Sequence, residues 1–315
     1  MDFIFECEVN MKCSSCDRQA IITRKQAGVS LCSEHFIDYF ERTVYETIAS
    51  TRMIEEHDRI AVAVSGGKDS TALLFSLHKI LTGRDVKMVA ITVDEGIAGY
   101  RDDTIRAARD IAGKLNVEHH IVSFREEYGC SLDQMVVGKN VAPCTFCGVF
   151  RKHALNRAAK RLGADEVATG HNLDDEAQTV MMNYLKGDYE RLMRFRPSRI
   201  QKGLVPRIKP LRAMPEKEIA LYCMVNGIFA ESRECPYADL SLRADVRDMM
   251  NALESQFPGT KQSTVLGFEE IAKRERGMWT QMDLEECRVC GEPCVNGRCK
   301  ACELLEQLGA VALPG

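Results

Sequence analysis

The 315-residue sequence contains no apolar run approaching the ~20 residues of a membrane-crossing helix, which excludes a transmembrane span. It has no excess of either charge. Its 42 Lys and Arg stand against 46 Asp and Glu, a net −4 that by itself argues for no partner. The first residues carry Asp2 and Glu6 and no basic stretch, so they do not read as a secretion signal. Low-complexity segments are missing, and 45% hydrophobic against 28% charged residues rules out wholesale disorder. The sequence is not poor in cysteine. It has 14, too dilute for a disulfide scaffold, where Cys exceeds about 8–10% of a short secreted chain. Without an export signal, the thiols are expected to be metal ligands or catalysts in a reducing cytoplasm.

The cysteines cluster near the ends, and between them lies an alternating αβ stretch. Arg59–Val64 is a short apolar run ending in Ser-Gly-Gly and reads as a buried strand. Strands are also expected at Val86–Val93, Glu118–Phe124 and Glu166–Thr169. Helices are expected at Asp69–Leu81, Arg101–Leu115, Thr145–Leu162 and Asp174–Leu185. This order predicts an α/β fold with a doubly wound parallel sheet. After Pro215 the pattern turns helical, at Glu216–Val225, Leu242–Gln256 and Gln262–Arg276. The expected division is a metal knuckle over 1–45, a catalytic domain over 46–215, a helical extension over 216–280 and a second knuckle over 281–315.

Ser65-Gly66-Gly67-Lys68-Asp69-Ser70 joins the first strand, which reaches Ala63 and Val64, to its helix. Two glycines permit a tight turn and close approach to a ligand, and the N–H groups of the helix start face an anion. A capped glycine turn is the plainer explanation of such a pair. The loop, however, sits at the carboxyl end of a strand, where a doubly wound sheet binds ligands. It fits neither Gly-x-x-x-x-Gly-Lys-Ser/Thr nor Gly-x-Gly-x-x-Gly. Thr92-Val93-Asp94-Glu95-Gly96 ends the second strand, and Thr169-Gly170-His171-Asn172-Leu173-Asp174-Asp175-Glu176 follows the fourth. The paired acids of the latter suit a helix dipole, a Mg²⁺ site or acid/base work.

Cys13-x2-Cys16-x15-Cys32-x2-His35 and Cys287-x2-Cys290-x8-Cys299-x2-Cys302 have the pair-loop-pair spacing of structural zinc sites. Cys294 lies between the second pairs as a spare thiol. Cys144-Thr-Phe-Cys147, behind Pro143 at an expected helix start, is different. A helix N-terminus lowers a thiol pKa, so this pair is expected to be reactive or metal-bound, as a redox dithiol or as part of an iron–sulfur cluster. Cys235, followed by Pro236, is a third thiol that spacing alone does not join to the pair.

The loop resembles that of the PP-loop ATP-pyrophosphatase superfamily. The ordered set of knuckle, loop, central Cys-x-x-Cys, Gly-His-Asn-x-Asp-Asp-Glu, late Cys-Pro and second knuckle resembles the tRNA 2-thiouridine synthetases. That resemblance covers nearly the whole chain. It implies ATP held by Ala63, Ser65, Gly66, Gly67, Lys68, Asp69, Ser70, Asp94, Arg151 and Gly170, where Gly170 would let the adenosine approach. It further implies Mg²⁺, two Zn²⁺ on the knuckles, and a 4Fe–4S cluster on Cys144, Cys147 and Cys235. Asp175 matches the catalytic aspartate, with Asp174 as the adjacent alternative. Arg151 matches a basic residue facing ATP, with Lys152 as its alternative. Lys68 and the three cluster cysteines complete the implied catalytic set. The implied reaction adenylates a uridine C2 oxygen, releases pyrophosphate and replaces the oxygen with sulfur.

The implied partners are tRNA, a donor that is sulfide or a thiocarboxylated ubiquitin-like carrier, and a second copy of the chain. A basic stretch accords with RNA. Lys186, Arg191, Arg194, Arg196, Arg199, Lys202, Arg207, Lys209 and Arg212, offset by Asp188 and Glu190, give +7 over 186–214. Cys7, Cys130, Cys223 and Cys294 are left as free thiols. A pyrophosphatase-loop thiolase with a Cys144/Cys147 persulfide, and a zinc-knuckle RNA-binding module that senses ATP, are the competing readings.

Overall fold

A computed structural model describes residues 11–138, 143–193, 203–231, 233, 235–237, 242–274 and 284–309. The chain opens with a short antiparallel hairpin, β1 (Ile22–Arg24) and β2 (Val29–Leu31), followed by α1 (Ser33–Thr51). Phe36, Phe40, Val44 and Ile48 recur at helical spacing along α1 and bury one face completely or nearly so. The helix runs through residue 45, so the expected domain boundary there falls inside a continuous element.

The centre is a five-stranded parallel sheet of β3 (Arg59–Ala63), β4 (Lys87–Asp94), β5 (Glu118–Ser123), β6 (Glu166–Ala168) and β7 (Arg207–Ile208). Its order is β5-β4-β3-β6-β7. The apolar run Ile60–Val62 is buried on both faces, as a central parallel strand requires. The crossovers are α2 (Lys68–Leu81), α3 (Arg101–Lys114), the short α4 (Phe124–Tyr128) and α5 (Leu132–Val136), then α6 (Pro143–Arg161), α7 (Leu173–Leu185) and α8 (Tyr189–Met193). The chain moves outward from β3 to β4 and β5, then returns to the other side of β3 with β6. The strand direction of travel therefore reverses between β3 and β6, and the crevice at their carboxyl ends is the ligand position of such sheets.

Strand β7 was not among the expected strands. Arg207 and Ile208, within the basic stretch, form the sheet edge beside β6. Two residues are too few to show a strand period.

Three further helices follow: α9 (Glu216–Val225), α10 (Leu242–Gln256) and α11 (Thr260–Arg274). Tyr222 of α9 is fully buried and stacks on Phe40 of α1, with ring centroids 3.9 Å apart. The start of the expected helical extension thus shares one apolar core with α1, α2 and the sheet. The last elements are a hairpin, β8 (Glu285–Glu286) with β9 (Pro293–Cys294), and α12 (Lys300–Gln307). Cys287, Cys294, Leu304 and Leu305 pack into the core that contains Phe124, Phe146 and Phe150, so this knuckle is seated on α4 and α6. Among the described residues, no helix is long and apolar enough to cross a membrane.

Candidate functional site

The loop after β3 is built from its own side chains. Ser70 Oγ accepts the Ser65 N–H and lies 3.0 Å from both Ser65 Oγ and the Gly67 carbonyl, to which it donates. Gly66 has φ +90°, and a Cβ there would lie 1.9 Å from the Thr104 carbonyl oxygen of α3. Both the backbone angle and the space therefore demand glycine. Arg101, buried at the start of α3, reaches across the loop. Its Nη1 donates to the Ser65 carbonyl at 3.3 Å and to Thr104 Oγ1 at 3.0 Å, its Nη2 donates to the Val93 carbonyl, and its Nε lies 2.8 Å from buried Glu95. The ends of β3 and β4 are thereby fixed to one guanidinium.

Lys68 Nζ lies 3.1 Å from Asp69 and 2.5 Å from Glu216. Burial works against its charge, but the two carboxylates outweigh burial and hold its pKa up. Asn172 caps α7 and donates its side-chain N–H to Asp69 Oδ1 at 3.1 Å. Asn172 and Asp175 form a reciprocal capping box at 3.0 and 3.3 Å, which locks Asp175 at the first turn of α7.

The adjacent acids have different environments. Asp174 is buried, accepts the Glu216 N–H at 2.8 Å and pairs with Lys261 of α11, so it ties three helices together. Asp175 faces a cavity of about 140 Å³ that Asp69, Asp174, Glu216 and Arg243 also line. Burial pushes its pKa up to about 6, with Asp69 and Glu216 adding to the rise and Arg243, 3.5 Å away, opposing it. Burial also raises Asp69. Crowded carboxylates around a small cavity suit a hard divalent cation. His171, exposed at the mouth of the same segment with Nδ1 2.9 Å from Thr169 Oγ1, is lowered to about 3 by desolvation among its neighbours and by the nearby Lys209 and Arg151, so its ring is neutral.

Gly170 has a reason other than the approach of adenosine. A Cβ there would lie 2.9 Å from the Ser70 amide nitrogen and 3.0 Å from the Asp69 carbonyl carbon. The missing side chain lets the segment after β6 pack directly on the first turn of α2.

The central thiols lie on the other side of Glu95. Arg151, one turn after Cys147, has Nη1 3.7 Å from Glu95, whose other oxygen meets Arg101. Cys144 donates its S–H to the Tyr237 carbonyl at 3.4 Å, two residues past Cys235. Tyr237 is held by Asp133 through a 2.8 Å hydrogen bond. Cys147 and Cys235 border the same apolar cluster and feel one another's charge. Residues 91 positions apart in Cys144 and Cys235 are thus brought to one place. The expected lowering of Cys147 by the helix start is not found. Burial dominates and pushes its thiol up to about 11, with Arg151 opposing it, and burial raises Cys235 too. Among the described residues, these three are not gathered as tightly as the single-ion groups at the ends.

At the ends, the donor atoms of Cys13, Cys16, Cys32 and His35 lie within 4.8 Å of one another, as do those of Cys287, Cys290, Cys299 and Cys302. Donor separations of 3.4 Å for Cys13 and His35, 3.8 Å for Cys16 and Cys32, and 3.5 Å for Cys290 and Cys299 match the edges of a tetrahedron. Zinc bonds of about 2.0–2.3 Å generate edges of that size. Cys294 is buried on β9 and lies outside the second group.

Residues 37–251 match the PP-loop domain family, and residues 12–37 match the N-terminal LIM domain of the 2-thiouridine synthetase TtuA. The chain is 37% identical to the tRNA 2-thiolation protein NcsA of Haloferax volcanii, over 96% of this chain and 100% of that one. The chain belongs to the tRNA 2-thiolation family. It is 38% identical to the cytoplasmic tRNA 2-thiolation protein 1 of Xenopus laevis, over 95% of this chain and 88% of that relative. A solved structure of the U34-tRNA thiolase NcsA from Methanococcus maripaludis with its 4Fe–4S cluster superposes with a TM-score of 0.85 at 35% identity, covering 98% and 99% of the two chains.

Within this family framework, the basic stretch divides. Lys209 and Arg212 turn inward to the buried Glu176, at 2.7 and 3.3 Å, so neither is a free RNA contact. Lys186 and Arg191 are exposed beside Asp188 and Glu190, and Arg207 donates to the Lys152 carbonyl. Arg194, Arg196, Arg199, Lys202 and Cys7 lie outside the described residues. Sequence reasoning missed Arg101, Arg243, His153 and the partners of Asp174. For Arg101 a signal existed: a cation at a helix N-terminus opposes the dipole and calls for a specific acid, here Glu95.

Proposed function

We propose that the chain is an ATP-dependent tRNA uridine 2-sulfurtransferase of the cytoplasm. The observation that carries this reading is the short connection from the anion loop to the thiols. Ser65 is tied to Arg101, Arg101 to Glu95, Glu95 to Arg151, and Arg151 lies one turn from Cys147. Phosphate chemistry and sulfur chemistry therefore share one wall. The cluster in the M. maripaludis thiolase supports the same assignment for Cys144, Cys147 and Cys235.

The loop N–H groups and Lys68 hold the β- and γ-phosphates of ATP, and Asp94 lies at the end of β4 on the adenosine side. Lys68 must exchange its contacts with Asp69 and Glu216 for phosphate, which leaves those carboxylates for Mg²⁺. Asp69 and Asp175 would hold that ion, which would neutralise the triphosphate. The uridine O2 attacks the α-phosphorus, the bond to the β-phosphate oxygen breaks, and pyrophosphate leaves. Arg151 stabilises charge developing on the α-phosphate. Sulfur then forms a bond to C2, and AMP departs with the former O2. A bound 4Fe–4S cluster with one iron free of cysteine would supply the place for that sulfur. Cys144 and Cys147 on α6, with Cys235 on its separate segment, would hold the cluster and keep it against Arg151.

Anaerobic protein incubated with tRNA, ATP and sulfide is expected to release pyrophosphate and to form 2-thiouridine. Pyrophosphate release without thiolated nucleoside, or thiolation by an iron-free preparation, would overturn the corresponding half of the reading. Replacing Cys235 by Ser separates the mechanisms: a Cys144/Cys147 persulfide route survives it and the cluster route does not.

A further inference from the structure

Helix α6 has two working faces. Cys144, Cys147 and Arg151 follow i, i+3, i+7 spacing toward the ATP site. His153, Asn156 and Lys160 follow the same spacing, and at about 100° per residue their stripe lies half a turn away. The second stripe holds the C-terminal knuckle. Asn156 Nδ2 donates to Glu292 at 2.5 Å and Lys160 Nζ lies 3.0 Å from the same carboxylate, which is buried. His153 is buried, with Nε2 3.6 Å from Cys290 Sγ and Nδ1 3.0 Å from Tyr128 Oη.

We propose that His153 is a positioning residue that links the C-terminal metal site to the cluster-bearing face of α6. Tyr128 donates its O–H to the Phe150 carbonyl at 2.9 Å, and its Oη lies 3.0 Å from Nδ1, so it anchors one edge of the ring. Nε2 on the other edge is thereby held facing the Cys290 sulfur. Such outer partners orient metal ligands and typically change metal affinity by 10–100-fold. No feature of the four-cysteine spacing requires this histidine, which comes from α6 some 137 residues earlier. Its position makes the knuckle and the cluster helix one mechanical unit. Metal bound at the knuckle holds the α6 stripe that backs Cys144 and Cys147. The link to the cluster rests on the assignment of the three thiols above, whereas the link to Cys290 does not.

The test compares the full chain with His153→Phe, His153→Gln and Tyr128→Phe, the last being the milder change should His153→Phe fail to fold. Zinc release to a chromophoric chelator and anaerobic iron content with its visible spectrum are both measured. His153→Phe and Tyr128→Phe are expected to release one of two zinc equivalents at least about tenfold faster, with the other unchanged. His153→Gln, which keeps a polar group at the same reach, is expected to restore slow release. Iron content is expected to fall in His153→Phe in step with zinc loss. Wild-type release rates in both the Phe variants would overturn the link to Cys290. Faster zinc loss with full iron content would overturn the coupling to the cluster. Iron-free wild-type protein would sink the thiol assignment and leave the zinc comparison as the test of His153.

Discussion

At the residue scale, the sharpest contrast is between two neighbours in sequence. Both line the cavity, but Asp174 is buried and locked by the Glu216 N–H and Lys261, whereas Asp175 is a third exposed with Arg243 3.5 Å away. Asp174→Asn leaves Lys261 buried without its countercharge, and breaking such pairs costs about 3–5 kcal/mol. Its expected signature is a large drop in melting temperature. Asp175→Asn should behave oppositely. The folded-state pKa of Asp175, about 6, lies above the ordinary 3.8. The folded chain therefore keeps this proton to higher pH than the unfolded chain does. The carboxylate's cost to stability is absent below the ordinary value, grows between the two values and is full above about 6. After discounting for the exposed third of the side chain, its removal is worth about 1 kcal/mol at pH 8. We expect Asp175→Asn to melt about 2–4 °C higher at pH 8 and to thiolate at least about 100-fold more slowly. Thiolation by the wild type should rise with pH through about 6 as this carboxylate forms. A flat profile from pH 5 to 8 in intact protein would contradict that role.

At the scale of elements, Gly170 lets the segment after β6 pack on the helix that follows β3. Its Cα lies against the first turn of α2, so Gly170→Ala must move the Asp69–Ser70 backbone. Overpacking of this kind costs about 1–3 kcal/mol, and here the cost falls on the phosphate loop. The expected result is weaker ATP binding by calorimetry with the iron content unchanged. The long strands and helices were legible because their apolar periods run for several residues, and so was the phosphate loop. Strand β7 was not, since two residues have no period and Arg207 disguised it as part of a charged stretch. The inward ion pairs of Lys209 and Arg212 were also hidden, because Glu176 and Glu269 meet them only through the fold. Both knuckles could be read because each ligand pair is local. The convergence of Cys235 on Cys144 could not, since no local spacing encodes it.

At the scale of the whole molecule, the two ends differ in how they attach. The first knuckle leads into α1, whose Phe40 stacks on Tyr222, while the second is pinned to α6 through Glu292 and Cys290. Chelation is therefore expected to affect the two metals differently, with loss of the second lowering iron content and loss of the first lowering stability. Native mass spectrometry during chelator titration would check the order and its consequences. The central claim is that one wall of the crevice activates uridine with ATP and delivers sulfur through three cysteines. The most direct measurement is anaerobic turnover of tRNA with ATP and sulfide, counting pyrophosphate and 2-thiouridine together in wild type and Cys235→Ser. The account predicts equal amounts of the two products in wild type. In Cys235→Ser it predicts retained ATP binding without thiolated nucleoside. Wild-type amounts of 2-thiouridine from Cys235→Ser would contradict it.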